Sequence, residues 1–198
     1  PVLPTLFLEF HGMNTGEVRE RAELVRSLAT EHGAHAFEWR TDPAERERLW
    51  SARHHAYFAS RALRPGAEVL TTDVCVPISR LAECIVETRT DLENFSFLAT
   101  IVGHVGDGNF HVLCVIDPNS PAEREEAARF SDQLVRRALR MAGTCSGEHG
   151  VGIGKIGYLA EEHGAGLDVM RTIKRALDPE NRMNPGKTVV IGTPERVR

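Results

Sequence analysis

Apolar positions recur along this chain at helical spacing in some stretches and in short continuous runs in others. From 15 to 32, Val18, Ala22, Val25, Leu28 and Ala29 fall on one helical face, and Gly33 stands where a glycine ends a helix. Asp42-Pro43-Ala44-Glu45 predicts a second helix: a cap residue, proline at the first helical position and a glutamate that closes a capping box. Its stripe is Leu49, Ala52, Ala56, Ala59 and Leu63, flanked by Trp50, Arg53, His54 and Tyr57, and Arg64-Pro65-Gly66 ends it. A third helix is expected after Pro77, with Ile78, Leu81, Ala82, Ile85 and Val86 inward. The capping box Ser120-Pro121-Ala122-Glu123 starts a fourth, which carries Ala127, Phe130, Leu134, Ala138 and Met141 and closes at Gly143. Shorter helical stretches follow at 158–163 and 167–177, broken by Asp178-Pro179.

Strand-like runs occupy 6–10, 36–39, 69–76, 95–102 and 112–116. Gly106-Asp107-Gly108-Asn109 lies between the last two, and glycine and asparagine tolerate the positive φ of a tight reversal. These two runs therefore read as a β-hairpin. The order is βαβαβαββα followed by short helices. It predicts an α+β domain with a largely antiparallel sheet and helices on one side, rather than a doubly wound parallel sheet.

The hairpin carries candidate chemistry. His104 and His111 stand at the two sides of its neck, where their imidazoles can converge. Ser146-Gly147-Glu148-His149-Gly150 offers a carboxylate and a third histidine, and the two loops read as halves of one site. Imidazole nitrogen and carboxylate oxygen suit zinc, manganese or iron, and three protein ligands leave room for water or substrate. Histidines that only hydrogen-bond loop backbone are the plainer alternative. Asp107 is a competing ligand, though its place between two glycines also suits an Asx turn. His149 can sit at the rim as a base, or simply hold a glycine turn. Arg53 can grip a carboxylate through two parallel hydrogen bonds, or can snorkel at the edge of a core. Lys155 and Lys187 follow glycines, but neither completes a phosphate-binding loop.

Composition narrows the classes. The net charge of −4 and the lack of a basic stripe argue against nucleic acid as a partner. No apolar run reaches the ~20 residues needed to span a bilayer. Cys75, Cys84, Cys114 and Cys145 form no Cys-x-x-Cys pair and read as free core thiols in a reducing compartment. A cytoplasmic location, or a peripheral one at a bacterial inner membrane, is therefore expected. The chain opens at Pro1 directly into an apolar run, as a piece of a longer protein would.

Three segments carry a resemblance. Gly-His-Val-Gly-Asp-Gly-Asn-Phe-His at 103–111, Gly-Thr-Cys-Ser-Gly-Glu-His-Gly at 143–150 and Met-Asn-Pro-Gly-Lys at 183–187 resemble the C-terminal part of FAD-linked oxidases. That family includes D-lactate dehydrogenase (cytochrome), D-2-hydroxyglutarate dehydrogenase and the FAD-binding glycolate oxidase subunit. Asp-Val-Cys-Val-Pro-Ile-Ser-Arg at 73–80 and Leu-Trp-Ser-Ala-Arg-His at 49–54 are similar to the first branch in particular. The resemblance implies a ferredoxin-like substrate, or cap, domain over 1–157. A helical segment and tail over 158–198 would pack toward an FAD-binding domain that this chain does not contain.

Carried over residue by residue, the resemblance makes His104, His111 and Glu148 ligands of zinc or manganese and His149 the base. Arg53 would pair with the substrate carboxylate, and Asn184 would approach the flavin. The implied reaction is oxidation of a 2-hydroxy acid, most simply D-lactate to pyruvate, with hydride passing to FAD and electrons leaving to cytochrome c or a quinone. A dicarboxylate would want a second cation, for which Lys155 is the nearby candidate. Two rivals stand beside this reading. One is a stand-alone metal-dependent hydrolase. The other is a non-catalytic α+β module whose structural metal takes a fourth ligand such as Asp107.

Overall fold

The computed structural model describes residues 3–191. The chain divides into two compact units, Pro1–Ala56 and Tyr57–Arg198. The first holds α1 (Thr15–Glu31) and α2 (Pro43–His54). The side chain of Asn14 caps α1 by accepting the Glu17 N–H at 3.0 Å, and Gly33 takes the left-handed φ of 82° that ends it. Ala22 is buried, Val18, Val25 and Ala29 are half-buried, and Leu28 stays outside. Asp42 caps α2, accepting from the N–H groups of Ala44 and Glu45.

Two expectations fail in this region. The runs at 6–10 and 36–39 are irregular and not strands. A strand is held by a partner that satisfies its N–H and C=O groups, and neither run is paired with one among the described residues. The helix expected to continue to Leu63 instead breaks at His55. There the Ser51 carbonyl accepts both the His55 N–H at 3.0 Å and the ring Nδ1–H at 2.7 Å. α3 (Ala56–Ala62) follows. α2 buries none of its residues, so the stripe begun at Leu49 lies at the surface.

The second unit carries the sheet. β1 (Glu68–Thr71) and β2 (Val74–Cys75) precede α4 (Ile78–Leu92). β3 (Leu98–His104) and β4 (Asn109–Ile116) form the hairpin, and α5 (Pro121–Arg140), α6 (Leu159–His163) and α7 (Gly166–Leu177) complete the chain. All pairings are antiparallel, with β4 between β3 on one side and β1 and β2 on the other. The expected α+β class, with an antiparallel sheet, is the observed one.

Every residue of β4 is buried, and alternation gives its two faces different work. Phe110, Val112, Cys114 and Ile116 join Leu81 and Cys84 of α4 and Ala127, Phe130, Leu134 and Ala138 of α5 in the core. His111, Leu113 and Val115 alternate with them and face the other way. On that face Ser60 of α3 hydrogen-bonds Thr100 of β3 at 2.7 Å. α4 keeps Leu81 buried and Ile85 packed against the core as its apolar spacing suggests, but Cys84 and Thr88 join them in place of Ile78, Ala82 and Val86. Thr88 can be buried because it satisfies its hydroxyl on the Cys84 carbonyl at 2.7 Å. Arg137 of α5 then clamps α4, donating to Glu87 at 2.8 Å, to Thr88 at 3.0 Å and to Asp91.

Phe130 is fully buried, with Phe95 and Phe97 packed edge-on against its ring. Phe130→Ala is expected to cost about 3–5 kcal/mol in urea unfolding. A loss below ~1 kcal/mol would show that this cluster does not anchor the unit.

Candidate metal centre

The hairpin register brings the two histidines together. Val102 pairs with His111 and His104 with Asn109. His104, two residues beyond Val102, therefore shares the face of His111 as its diagonal neighbour. The ring centroids are 6.0 Å apart. A single 3-10 turn, Val105–Asp107, followed by Gly108 at φ 76°, reverses the chain. A Cβ on Gly108 would meet the Val76 carbonyl oxygen at 2.0 Å, so no other residue fits. Asp107 lies in this turn, where its carbonyl accepts from Cys75 Sγ at 3.2 Å, and it is outside the groups of side chains that converge.

Glu148 comes from the loop after α5. Its Oε1 is 2.9 Å from His111 Nε2 and 3.4 Å from His104 Nε2. The other ring nitrogen of His111, Nδ1, lies 3.0 Å from the Thr72 carbonyl oxygen. A carbonyl only accepts, so Nδ1 carries the proton, and Nε2 of the neutral ring presents a lone pair. That lone pair faces a carboxylate, which also only accepts. The conflict is one that a shared proton or a cation resolves. Two imidazole nitrogens and one carboxylate oxygen are the donor set of a divalent metal with open positions, so the residues fit zinc or manganese.

A second convergent group, Asp73, His111 and His149, overlaps the first. It is the poorer cation site, because the oxygens of Asp73 are already engaged. The Asp73 carboxylate accepts from the Asn109 amide at 2.9 Å and from the backbone N–H of Glu148 at 3.1 Å and of His149 at 3.0 Å. The Lys155 ammonium sits 3.0 Å from it and also donates to the Asp73 backbone carbonyl at 2.7 Å. Burial alone would raise this carboxyl. The His149 N–H, Lys155 and Asn109 outweigh it and hold the group well below the usual carboxylate range. Asp73 was not among the site residues read from the sequence. The signal was there: an acidic residue in the middle of an apolar strand run, a place carboxylates occupy only when paired.

The remaining candidates are placed as follows. The backbone of His149 is pinned on Asp73, while its ring is exposed at the rim, with Nε2 3.8 Å from Glu148 Oε1. Lys155 is committed to Asp73, so it is not a free cation for a second substrate carboxylate. Arg53 lies in the last turn of α2, in the first compact unit, whereas the histidines and Glu148 lie in the second. Asn184 takes a left-handed φ of 49° in a turn closed by the Lys187 N–H on its carbonyl, and Thr188 ties this tail to Gly152 at 3.0 Å. The four cysteines are free thiols, and burial pushes Cys114 up to about 12, which leaves it inert.

Against known proteins, the pattern of the FAD linked oxidases, C-terminal domain, matches residues 1–188. The chain belongs to that family. A probable mitochondrial D-lactate dehydrogenase of Danio rerio is 50% identical over 191 residues, covering 96% of this chain and 38% of that protein. The mitochondrial D-lactate dehydrogenase [cytochrome] of Arabidopsis thaliana is 44% identical over 187 residues, 94% of this chain and 33% of its own length. The glycolate oxidase subunit GlcD of Escherichia coli K12 is more distant, 28% identical over 185 residues, 93% of this chain and 36% of its own. This FAD-linked oxidase domain thus spans about a third of the length of such relatives. Among its described residues no helix is long and apolar enough to cross a membrane.

Two variants of the FAD-linked oxidase domain test the Asp73 hub. A carboxylate held below its ordinary value adds stability that is full above about pH 4, near the unfolded pKa, and drains away as pH falls below it. Asp73→Asn should therefore lose more stability at pH 6 than at pH 3 in urea unfolding. An equal loss at both would mean that the charge is not what holds the loop. In Gly147→Ala, the new Cβ would meet Asn109 Nδ2 at 1.7 Å and Asp73 Oδ1 at 2.6 Å. A destabilisation of about 1–3 kcal/mol is expected, the range for overpacking.

Proposed function

We propose that this chain is the substrate- and metal-binding part of an FAD-dependent D-2-hydroxy-acid dehydrogenase that oxidises D-lactate to pyruvate. The observation that carries the reading is the convergence of His104 Nε2, His111 Nε2 and Glu148 Oε1, with the Nδ1 proton of His111 already spent on a carbonyl. The names of the relatives support the substrate class, two as D-lactate dehydrogenases and one as a glycolate oxidase subunit.

His104, His111 and Glu148 hold the metal, zinc or manganese. When bound, the two absent groups supply a positive charge that makes a substrate hydroxyl more acidic and a flavin that accepts two electrons. The chain's own residues do the rest. Arg53 pairs with the substrate carboxylate and so fixes which way the Cα–H points. His149, pinned by its backbone and free at its ring, takes the hydroxyl proton. Asn184 and the segment over 158–198, whose last residues, 192–198, lie outside the described ones, meet the flavin side, where FAD is held mainly by a domain outside this chain. Electrons leave to cytochrome c or a quinone, in the cytoplasm or peripherally at an inner membrane.

Metal content by inductively coupled plasma mass spectrometry tests the ligand set. About one equivalent of zinc or manganese is expected with the purified chain, and none with His104→Ala/His111→Ala; equal metal in both would sink the assignment. In the flavin-containing parent protein, His149→Ala should lower turnover by at least ~10²-fold, and retained turnover would remove His149 as the base.

A further inference from the structure

The register of the sheet exposes a substitution in its hydrogen bonding. β1 pairs Thr71 with Leu113, and β2 pairs Val74 with Phe110. Both strands follow one register along β4, so Thr72 lies opposite Val112 and Asp73 opposite His111, in the gap between them. The Thr72 N–H still donates to the Val112 carbonyl at 3.0 Å, as an unbroken ladder requires. The return bond is different. The Val112 N–H donates to Thr72 Oγ1 at 2.8 Å instead of to the Thr72 carbonyl. That carbonyl takes the His111 Nδ1 proton at 3.0 Å. All three groups are buried, so none has water as an alternative partner.

We propose that Thr72 is a positioning residue for His111: its hydroxyl stands in for its own carbonyl in the strand ladder, and the freed carbonyl fixes His111 in the tautomer that presents Nε2 to the site. The inference deepens the metal reading, and its main test needs no metal. Serine can make the same exchange. Valine, of the same shape, cannot. In Thr72→Val the Val112 N–H would be left buried and unpaired unless it reclaimed the carbonyl, and His111 would then lose its anchor. Asp73 does not replace that anchor. Its nearer oxygen is 3.8 Å from His111 Nδ1, beyond hydrogen-bond reach, and is engaged elsewhere.

The test is imidazole nitrogen NMR on histidine-labelled chain with chelator present, at about pH 8.5, where an ordinary imidazole is neutral. A His111→Gln sample assigns the resonance. The wild type should show His111 protonated at Nδ1, and Thr72→Ser should match it. Thr72→Val should move it toward the Nε2-protonated form, with amide dispersion retained. Zinc titration of the same samples should show affinity reduced by roughly 10–100-fold in Thr72→Val and restored in Thr72→Ser, the usual range for an outer-sphere partner. A wild-type His111 protonated at Nε2 overturns the proposal, and so does an unchanged tautomer in folded Thr72→Val. If Thr72→Val does not fold, the wild-type tautomer decides alone. Wild-type chain that keeps the Nδ1 proton but binds no zinc refutes the metal reading and leaves the positioning role standing.

Discussion

The Asp73 carboxylate is buried in a gap of the sheet and ringed by donors from three separate stretches of chain. Asn109 reaches it from the start of β4, the N–H groups of Glu148 and His149 from the loop after α5, and Lys155 from the glycine-rich segment beyond. A buried charge is costly unless it is paired and hydrogen-bonded, and here it is both. That requirement holds the loop in one place: if the segment at 147–149 moved away, the carboxylate would lose the N–H groups that keep it ionised. Gly147 is part of the same arrangement, because only a residue without a side chain lets the loop approach Asn109 this closely.

The candidate centre inherits its geometry from this anchor and from the hairpin. β4 is the middle strand, and His111 is held by its pairing with Val102 on one side and by its ring on the Thr72 carbonyl on the other, while His104 sits at the exposed end of β3. Glu148 is brought to both by a backbone fixed on Asp73. The site therefore has one buried and two exposed members, rigid at the back and open at the front. That is the arrangement a substrate-binding metal needs, with ligands fixed and positions left accessible.

Local pattern served well where an element depends mainly on itself. The caps at Asp42 and Ser120 formed as their side chains require, and α5 buried the stripe read from its spacing. The hairpin formed because its turn chemistry and its flanking runs agree. Pattern failed where burial depends on a partner. The runs at 6–10 and 36–39 have apolar residues but no pairing strand among the described residues, and Leu49 at the head of its stripe is exposed. α4 kept Leu81 and Ile85 against the core and added Thr88, because a hydroxyl satisfied within its own helix can be buried much as an apolar group can.

His104, His111, Glu148 and His149 were legible in the sequence because glycine-flanked histidines and a carboxylate in loops are chemically conspicuous. Their convergence was only suggested by the hairpin, since a spacing of seven residues does not say which face a side chain takes. The register decided that, by pairing Val102 with His111. A carboxylate in an apolar run signals that Asp73 needs a partner, but nothing local to Asp73, Lys155 or Thr72 names the partners they take. Their roles arise from bonds across 39 to 82 positions of chain, such as Thr72 to His111 and Asp73 to Lys155. Hydrogen bonds of that separation leave no periodic trace, so the sequence by itself determined which groups could do the chemistry. Only the tertiary structure decided which buried residues aim them.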